Sequence, residues 1–326
     1  MAPVRLGVIG CGIMGERLLR AACAHDPAVL VVAGAWDPAE RAMRQLAAAL
    51  PQVPRHETAA ALVAASDCVY IASPPATHLV HARAAFAAGR AVFCEKPLAV
   101  DWNDAADFVR EATKASERAA VNFPFASSFA VDQLQRWLAE GVIGPVRRAD
   151  VTLGFATWPR AWQSAASSWL DGRIEGGFVR EVGSHFLFLA RRLFGPLEMD
   201  GWQVHYGPDP SLSERAVEMT LVAGGIPMSV QGKVGFTEMA DCNEFRIVGA
   251  TGSIRLRDWS FAERLVDGEW HQAANAMPNE IVRPLVLRRQ LDKVAALSRG
   301  CPQDLARLDE ALDVLNAVEL VLSGLC

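Results

Sequence analysis

The chain predicts an α/β fold in two domains: an N-terminal doubly wound parallel sheet, then a C-terminal α/β domain built on an open, mainly antiparallel sheet. Three observations carry this reading. Apolar runs of strand length alternate with Ala-rich helical stretches as far as Phe123. A glycine-rich turn, Gly10-Cys11-Gly12-Ile13-Met14-Gly15, joins the first run to the first helical stretch. Beyond Phe123 the alternation stops, and strand follows strand across short turns. The boundary falls near residue 122, giving domains 1–122 and 123–326.

In the first domain a strand over 4–9 leads into a helix over 12–25, and a second apolar run, 29–36, ends in Asp37. Residues 38–50 predict a helix with Ala39, Ala42, Met43, Leu46 and Ala47 on one face, and 58–65 a short helix. A buried strand over 67–72 ends in Ser73-Pro74-Pro75 and a helix follows over 76–89. The strand 91–94 is closed by Glu95-Lys96-Pro97; Asp101 stands where it can cap a helix over 101–117, and 119–123 forms the last strand. In the second domain, an amphipathic helix over 128–140 stops at Gly141 and Gly144-Pro145. Strands are predicted over 146–155, 198–206, 215–222, 227–236, 244–248 and 253–259, a helical stretch over 176–188, and closing helices over 281–298 and 302–322.

The chain has 326 residues, 51% of them hydrophobic, which suits a soluble protein with a large core. Its net charge is −5 with scattered Lys and Arg, so neither a nucleic-acid face nor a polybasic membrane patch is expected. No apolar stretch reaches spanning length, and the N-terminus enters the first strand without signal-peptide architecture. Seven cysteines without a C-x-x-C pair predict free thiols in a reducing cytoplasm. A broad open sheet exposes a large face in a monomer, which favours a homo-oligomer, a dimer or tetramer through the C-terminal sheet.

The glycine motif has its chemistry in the right place. Gly10 permits the turn, Gly12 lets the backbone approach a pyrophosphate, and Gly15 lets the helix pack close to the strand. The helix N-terminus adds unpaired N–H groups and partial positive charge. Gly10, Cys11, Gly12, Ile13, Met14 and Gly15 are therefore candidate dinucleotide contacts. Asp37 can accept from a ribose diol and repels a 2′-phosphate, favouring NAD; Arg41 and Arg44 keep NADP as the alternative. A glycine turn that binds nothing is the structural alternative.

Ligands of such sheets bind beyond the carboxyl ends of the strands. Ser73, Pro74, Pro75 and His78 fall there, as do Glu95, Lys96 and Asn122, and all are candidate cofactor contacts. His78 and His81 lack an acidic or thiol partner nearby, so they read as surface or supporting histidines and no metal is expected. Lys96, held before a proline, can exchange a proton with a substrate oxygen; the alternative is a solvated Glu–Lys pair. Glu181 and His185 share a helix face, and the carboxylate can hold the tautomer of a histidine base; the alternative is a buried, satisfied pair. Trp158, Arg160 and Trp162, with Trp169, either form core or line a substrate pocket, and Arg180 is a further substrate candidate.

Together the glycine motif, Ser73-Pro74-Pro75 with His78, Glu95-Lys96-Pro97, and Gly176-Gly177 leading to Gly183-Ser184-His185 resemble the Gfo/Idh/MocA family, along nearly the whole chain. The resemblance implies a Rossmann domain, an oligomer-forming sheet, and hydride transfer between nicotinamide and a sugar or polyol. Lys96 matches the family's active-site lysine and His185 its acid/base histidine. Glu181 replaces the usual first aspartate of the D-x-G-x-H-x-x-D pattern, and Phe188 the last. The expected reaction has the substrate between the nicotinamide ring and the Glu181–His185 helix. His185 takes the hydroxyl proton, Lys96 polarises the oxygen, and Glu181 binds a hydroxyl or orients His185. Phe188 and Phe125 leave open an imine reductase, and the altered motif a non-catalytic NAD(P)-binding sensor.

Overall fold

The computed structural model describes residues 2–161, 163, 167–238 and 241–324. The chain divides into two compact units, one of Met1–Ser127 with Arg283–Leu312 and one of Ser128–Val282 with Asp313–Cys326.

The first unit has a five-stranded sheet of β1 (Val4–Ile9), β2 (Leu30–Trp36), β3 (Cys68–Ile71), β4 (Ala91–Glu95) and β5 (Ala119–Asn122), in the order β2-β1-β3-β4-β5. Every neighbouring pair is parallel. Strands β3 and β4 are buried on both faces, as their continuous apolar runs require. Connections run through α1 (Ile13–Cys23), α2 (Glu40–Ala49), α3 (Ala59–Ala65), α4 (His78–Ala87) and α5 (Trp102–Lys114). Asp101 caps α5 by accepting from the Asn103 and Asp104 N–H groups. Leu6, Val8, Leu18, Leu30, Tyr70 and Phe93 centre the core, joined by Leu291, Val294 and Ala295 from late in the chain.

The second unit has an eight-stranded sheet, ordered β13-β12-β11-β10-β6-β9-β8-β7. Its strands are β6 (Val146–Phe155), β7 (Leu197–Tyr206), β8 (Glu214–Ala223), β9 (Ile226–Val234), β10 (Cys242–Gly249), β11 (Ser253–Arg257), β12 (Phe261–Val266) and β13 (Glu269–Gln272). Among the described residues of this sheet, only the β6–β9 pair is parallel. Its helices are α6 (Phe129–Ala139), the short α7 (Ser167–Leu170) and α8 (Ser184–Phe194); α9 (Asn279–Ser298) and α10 (Leu308–Ser323) follow the sheet. The sequence pattern runs one strand through 253–259 and gives none after it. The chain instead turns at Asp258-Trp259 and adds β12 and β13. Asp-Trp is no turn signature, and the charges of Phe-Ala-Glu-Arg-Leu-Val interrupt a clean alternation. No helix among the described residues is long and apolar enough to cross a membrane.

Candidate active site

In the first unit the strand order reverses at β1 and β3, so the loops after them lie side by side. Gly10 follows β1 at φ +93°, and a Cβ there would stand 2.5 Å from the Ala72 carbonyl and Ser73 nitrogen. A Cβ on Gly15 would overlap the Gly10 carbonyl oxygen, whereas one on Gly12 would meet nothing within 4 Å. Gly12 is the residue before α1, whose first turn has no side-chain cap. The loop thus combines a forced turn, a close helix–strand approach and an open backbone face at a helix N-terminus, which is what a pyrophosphate requires. Asp37, one residue beyond β2, accepts from Cys11 N–H and Ala39 N–H, both at 2.8 Å, which fixes its carboxylate beside that loop. Burial, with the Asp37 charge adding to it, pushes the Cys11 thiol up to about 12, so it stays neutral. Beside Asp37 lies a concavity of about 690 Å³ whose lining includes Trp36, Met43, Arg44 and His56.

Ser73-Pro74-Pro75 is braced by Thr77, whose Oγ1 lies 2.7 Å from Ser73 Oγ and 2.9 Å from the Pro74 carbonyl. His78 is 0% exposed. Its Nδ1 lies 2.8 Å from the Pro97 carbonyl and its Nε2 2.8 Å from the Ser73 carbonyl. The ring ties the loop after β3 to the loop carrying Lys96 and has no solvent-facing nitrogen. Burial pulls its pKa down while the two carbonyls push it up.

Glu95 is buried behind half-buried Lys96. It accepts from the Tyr70 hydroxyl and, at 2.7 Å, from Asn122 Nδ2; the Asn122 oxygen accepts from Gln290 Nε2 at 2.6 Å. Burial raises the Glu95 pKa, opposed by these bonds and by the Lys96 charge. Asn122 thus belongs to the network that holds Glu95, the residue before Lys96, and Tyr70 and Gln290 belong to that network although no motif marks them.

In the second unit, Glu181 lies in a π-helical turn, Val179–Gly183, that runs directly into α8 and His185. Such widened turns recur at functional sites. Glu181 is half-buried and His185 is 8% exposed. The turn begins over Glu214: Gly177 has φ +100°, a Cβ on it would overlap the Glu214 carboxylate, and Glu214 Oε1 accepts from Val179 N–H at 2.8 Å. Glu214 is 1% exposed, and burial raises its pKa to about 7 against the pull of Val179 N–H, Arg180 and Arg215. Arg180 is committed to Glu319, both contacts at 2.7 Å, and to the Arg173 and Gly176 carbonyls at 3.0 Å. It locks the start of the turn.

Trp158 packs on Phe155 and Phe178 at ring distances of 5.2 and 6.2 Å, and its indole N–H donates to the Leu170 carbonyl. It is core. Trp169 is exposed, and Trp162 lies outside the described residues. Arg160 Nε donates to Gln163 at 3.0 Å, and its guanidinium stands 3.7 Å from Asp241, whose pKa burial raises; Asp258 adds to that rise.

Trp259 reaches His185 from the hairpin between β11 and β12. The rings are 5.2 Å apart at 73°, and Phe186 meets the same indole at 5.4 Å and 61°. Asp258 and Trp259 have φ +46° and +71°, and Ser260 N–H closes the turn on the Arg257 carbonyl at 3.3 Å. Two left-handed residues other than glycine cost roughly 2–4 kcal/mol together, and the two ring contacts return about 1–3 kcal/mol. Neither Glu214 nor Trp259 carries a local signal in the sequence.

Residues 4–123 match the oxidoreductase family with an NAD-binding Rossmann fold, Gfo/Idh/MocA. The match covers 120 of the chain's 326 residues, the part that holds the parallel sheet. Over 231 residues it is 27% identical to 2,7-anhydro-N-acetylneuraminate hydratase of Escherichia coli (strain K12), a match spanning 67% of this chain and 58% of that relative's length. Its fold matches an oxidoreductase from Agrobacterium radiobacter in complex with NAD+, L-tartaric acid and magnesium, with TM-score 0.82, 19% identity, and 98% and 96% of the two chains covered. It also matches the WlbA dehydrogenase from Bordetella pertussis in complex with NADH and UDP-GlcNAcA, with TM-score 0.80, 20% identity, and 99% and 95% covered. The family match covers the glycine loop and agrees with its dinucleotide reading.

Proposed function

We propose that the chain is an NAD-dependent dehydrogenase or reductase acting at a hydroxyl or carbonyl carbon of a sugar or polyol. The observation that carries this is the gathering of the open Gly12 backbone, the Ser73–Pro75 turn and Lys96 at the carboxyl ends of the adjacent strands β1, β3 and β4. Gly10–Gly15 would hold the pyrophosphate, Asp37 the adenosine ribose, and the loops after β3 and β4 the nicotinamide half. When bound, the nicotinamide supplies hydride chemistry at a substrate carbon. The Lys96 ammonium stabilises negative charge on the substrate oxygen. His185 takes the hydroxyl proton in oxidation and returns it in reduction. Glu181, in the same helical run, binds a substrate hydroxyl or orients the imidazole.

The sugar class draws support from the names of the relative and of the Bordetella complex. The two residues behind the imine alternative, Phe125 and Phe188, are buried core side chains, so they carry no information about substrate polarity. A cytoplasmic homo-oligomer joined through the eight-stranded sheet completes the proposal, supported by the half-buried Met199, Trp202 and Val204 along β7 and by thiols at the described cysteines. The test is a panel of aldoses, polyols, inositols and cyclic imines, followed by reduced-nicotinamide absorbance. Turnover of a hydroxyl substrate supports the reading; turnover of imines alone rejects it.

A further inference from the structure

The hairpin between β11 and β12 is built on residues poorly suited to its shape. Two positive φ values at the central positions, with Ser260 N–H bonded to the Arg257 carbonyl, define a type I′ turn, which Asn-Gly fills with little strain. Here Asp258 and Trp259 fill it, and a bulky side chain at φ +71° is an outlier.

The surroundings force the shape. Asp258 N–H donates to the Asn243 carbonyl at 2.9 Å, and Arg257 Nη1 donates to Asp258 Oδ2 at 2.6 Å. Arg257 also grips buried Glu263 through bonds of 2.8 and 3.1 Å. Strain held in this way marks functional positions when it places a group that nothing else could place. What it places is the indole of Trp259, nearly perpendicular to the imidazole of His185.

We propose that Trp259 is a positioning residue that fixes the ring orientation of His185, and that the strained turn serves to hold it there. The inference rests on His185 being the acid/base group. Proton transfer needs a ring nitrogen aimed at the substrate oxygen, and an imidazole flanked edge-to-face by an indole has few other orientations. The same indole contacts Phe186, so it is registered against the helix rather than against one side chain.

The test uses the full chain labelled with heavy nitrogen at histidine, with the His185 ring signals assigned by their loss in His185→Asn. In Trp259→Ala and Trp259→Gly those signals shift and broaden. In both variants kcat falls about 10- to 100-fold on the substrate the panel identifies, with KM for the nucleotide little changed. Trp259→Phe, which keeps an aromatic edge, retains ring signals near their original positions and most of the rate. Trp259→Gly relieves the left-handed strain, so its Tm does not fall in step with its rate. Wild-type His185 signals in Trp259→Ala overturn the proposal, whether or not Tm drops, because the hairpin would then be merely structural. Full turnover in His185→Ala defeats the acid/base reading instead, and the ring signals still report whether Trp259 orients the imidazole.

Discussion

In the parallel sheet four of the candidate residues stand just beyond a strand's carboxyl end: Gly10 after β1, Asp37 after β2, Ser73 after β3, Lys96 after β4. In the eight-stranded sheet the candidates are held by segments far away in sequence. Glu214 anchors Val179 from 35 residues off, Arg180 is gripped by Glu319 across 139, and Trp259 meets His185 from another hairpin. One unit presents backbone and strand ends, so its site is encoded locally. The other presents side chains on a helix whose place depends on buried partners.

The sharpest way to break this comparison is to remove one proposed reacting group from each unit. His185→Ala and Lys96→Ala are each expected to lower kcat roughly 100- to 10,000-fold. NADH affinity, measured by fluorescence titration, should stay nearly constant, because neither change touches the phosphate loop. A rate close to wild type in either variant removes that residue from the proposed chemistry.

The pH dependence of stability comes next. Glu214 has its pKa raised from 4.5 to about 7, so the folded chain binds this proton more tightly than the unfolded chain. Its contribution is complete below pH 4.5 and is lost as pH rises to about 7. The loss is on the order of 3 kcal/mol, because each tenfold difference in proton affinity between the folded and unfolded chain is worth about 1.4 kcal/mol. Glu214→Gln should flatten Tm against pH in that window; an unchanged slope means the carboxyl is not the titrating group.

Two glycines then sharpen the contrast. Gly177→Ala places a Cβ against Glu214 at positive φ and should cost about 1–3 kcal/mol of stability by denaturant unfolding. Gly12→Ala adds a Cβ to open space, so Tm should hold within about 2 °C. Its NADH affinity should instead fall about tenfold or more, about 1.4 kcal/mol. The smallest effect is expected at Asp37→Ser, which should narrow the preference for NADH over NADPH by about tenfold. Equal affinities in the wild type would show that Asp37 does not guard the ribose.

The parallel sheet is legible in the sequence because its signals are local: apolar runs, the spacing of Gly10, Gly12 and Gly15, and the capping position of Asp101. Gly176-Gly177 stands out as a motif, but its reason, a carboxylate from β8 under the backbone, is invisible until the sheet is assembled. The sequence pattern places Trp259 inside a strand because Asp-Trp lacks turn chemistry; tertiary bonds from Asn243, Arg257 and Glu263 impose the turn. Gln290 reaches Asn122 across 168 residues, a pairing that no periodicity encodes.

The central claim is that this chain moves a hydride between nicotinamide and a hydroxyl-bearing carbon. Incubation with NADH deuterated at the transferring position and a panel of keto-sugars and inososes, read by mass spectrometry, tests it directly. The account predicts one deuterium on the carbon bearing the new hydroxyl, lost in His185→Ala and Lys96→Ala. NADH bound with no label passing to any carbonyl of the panel would contradict it.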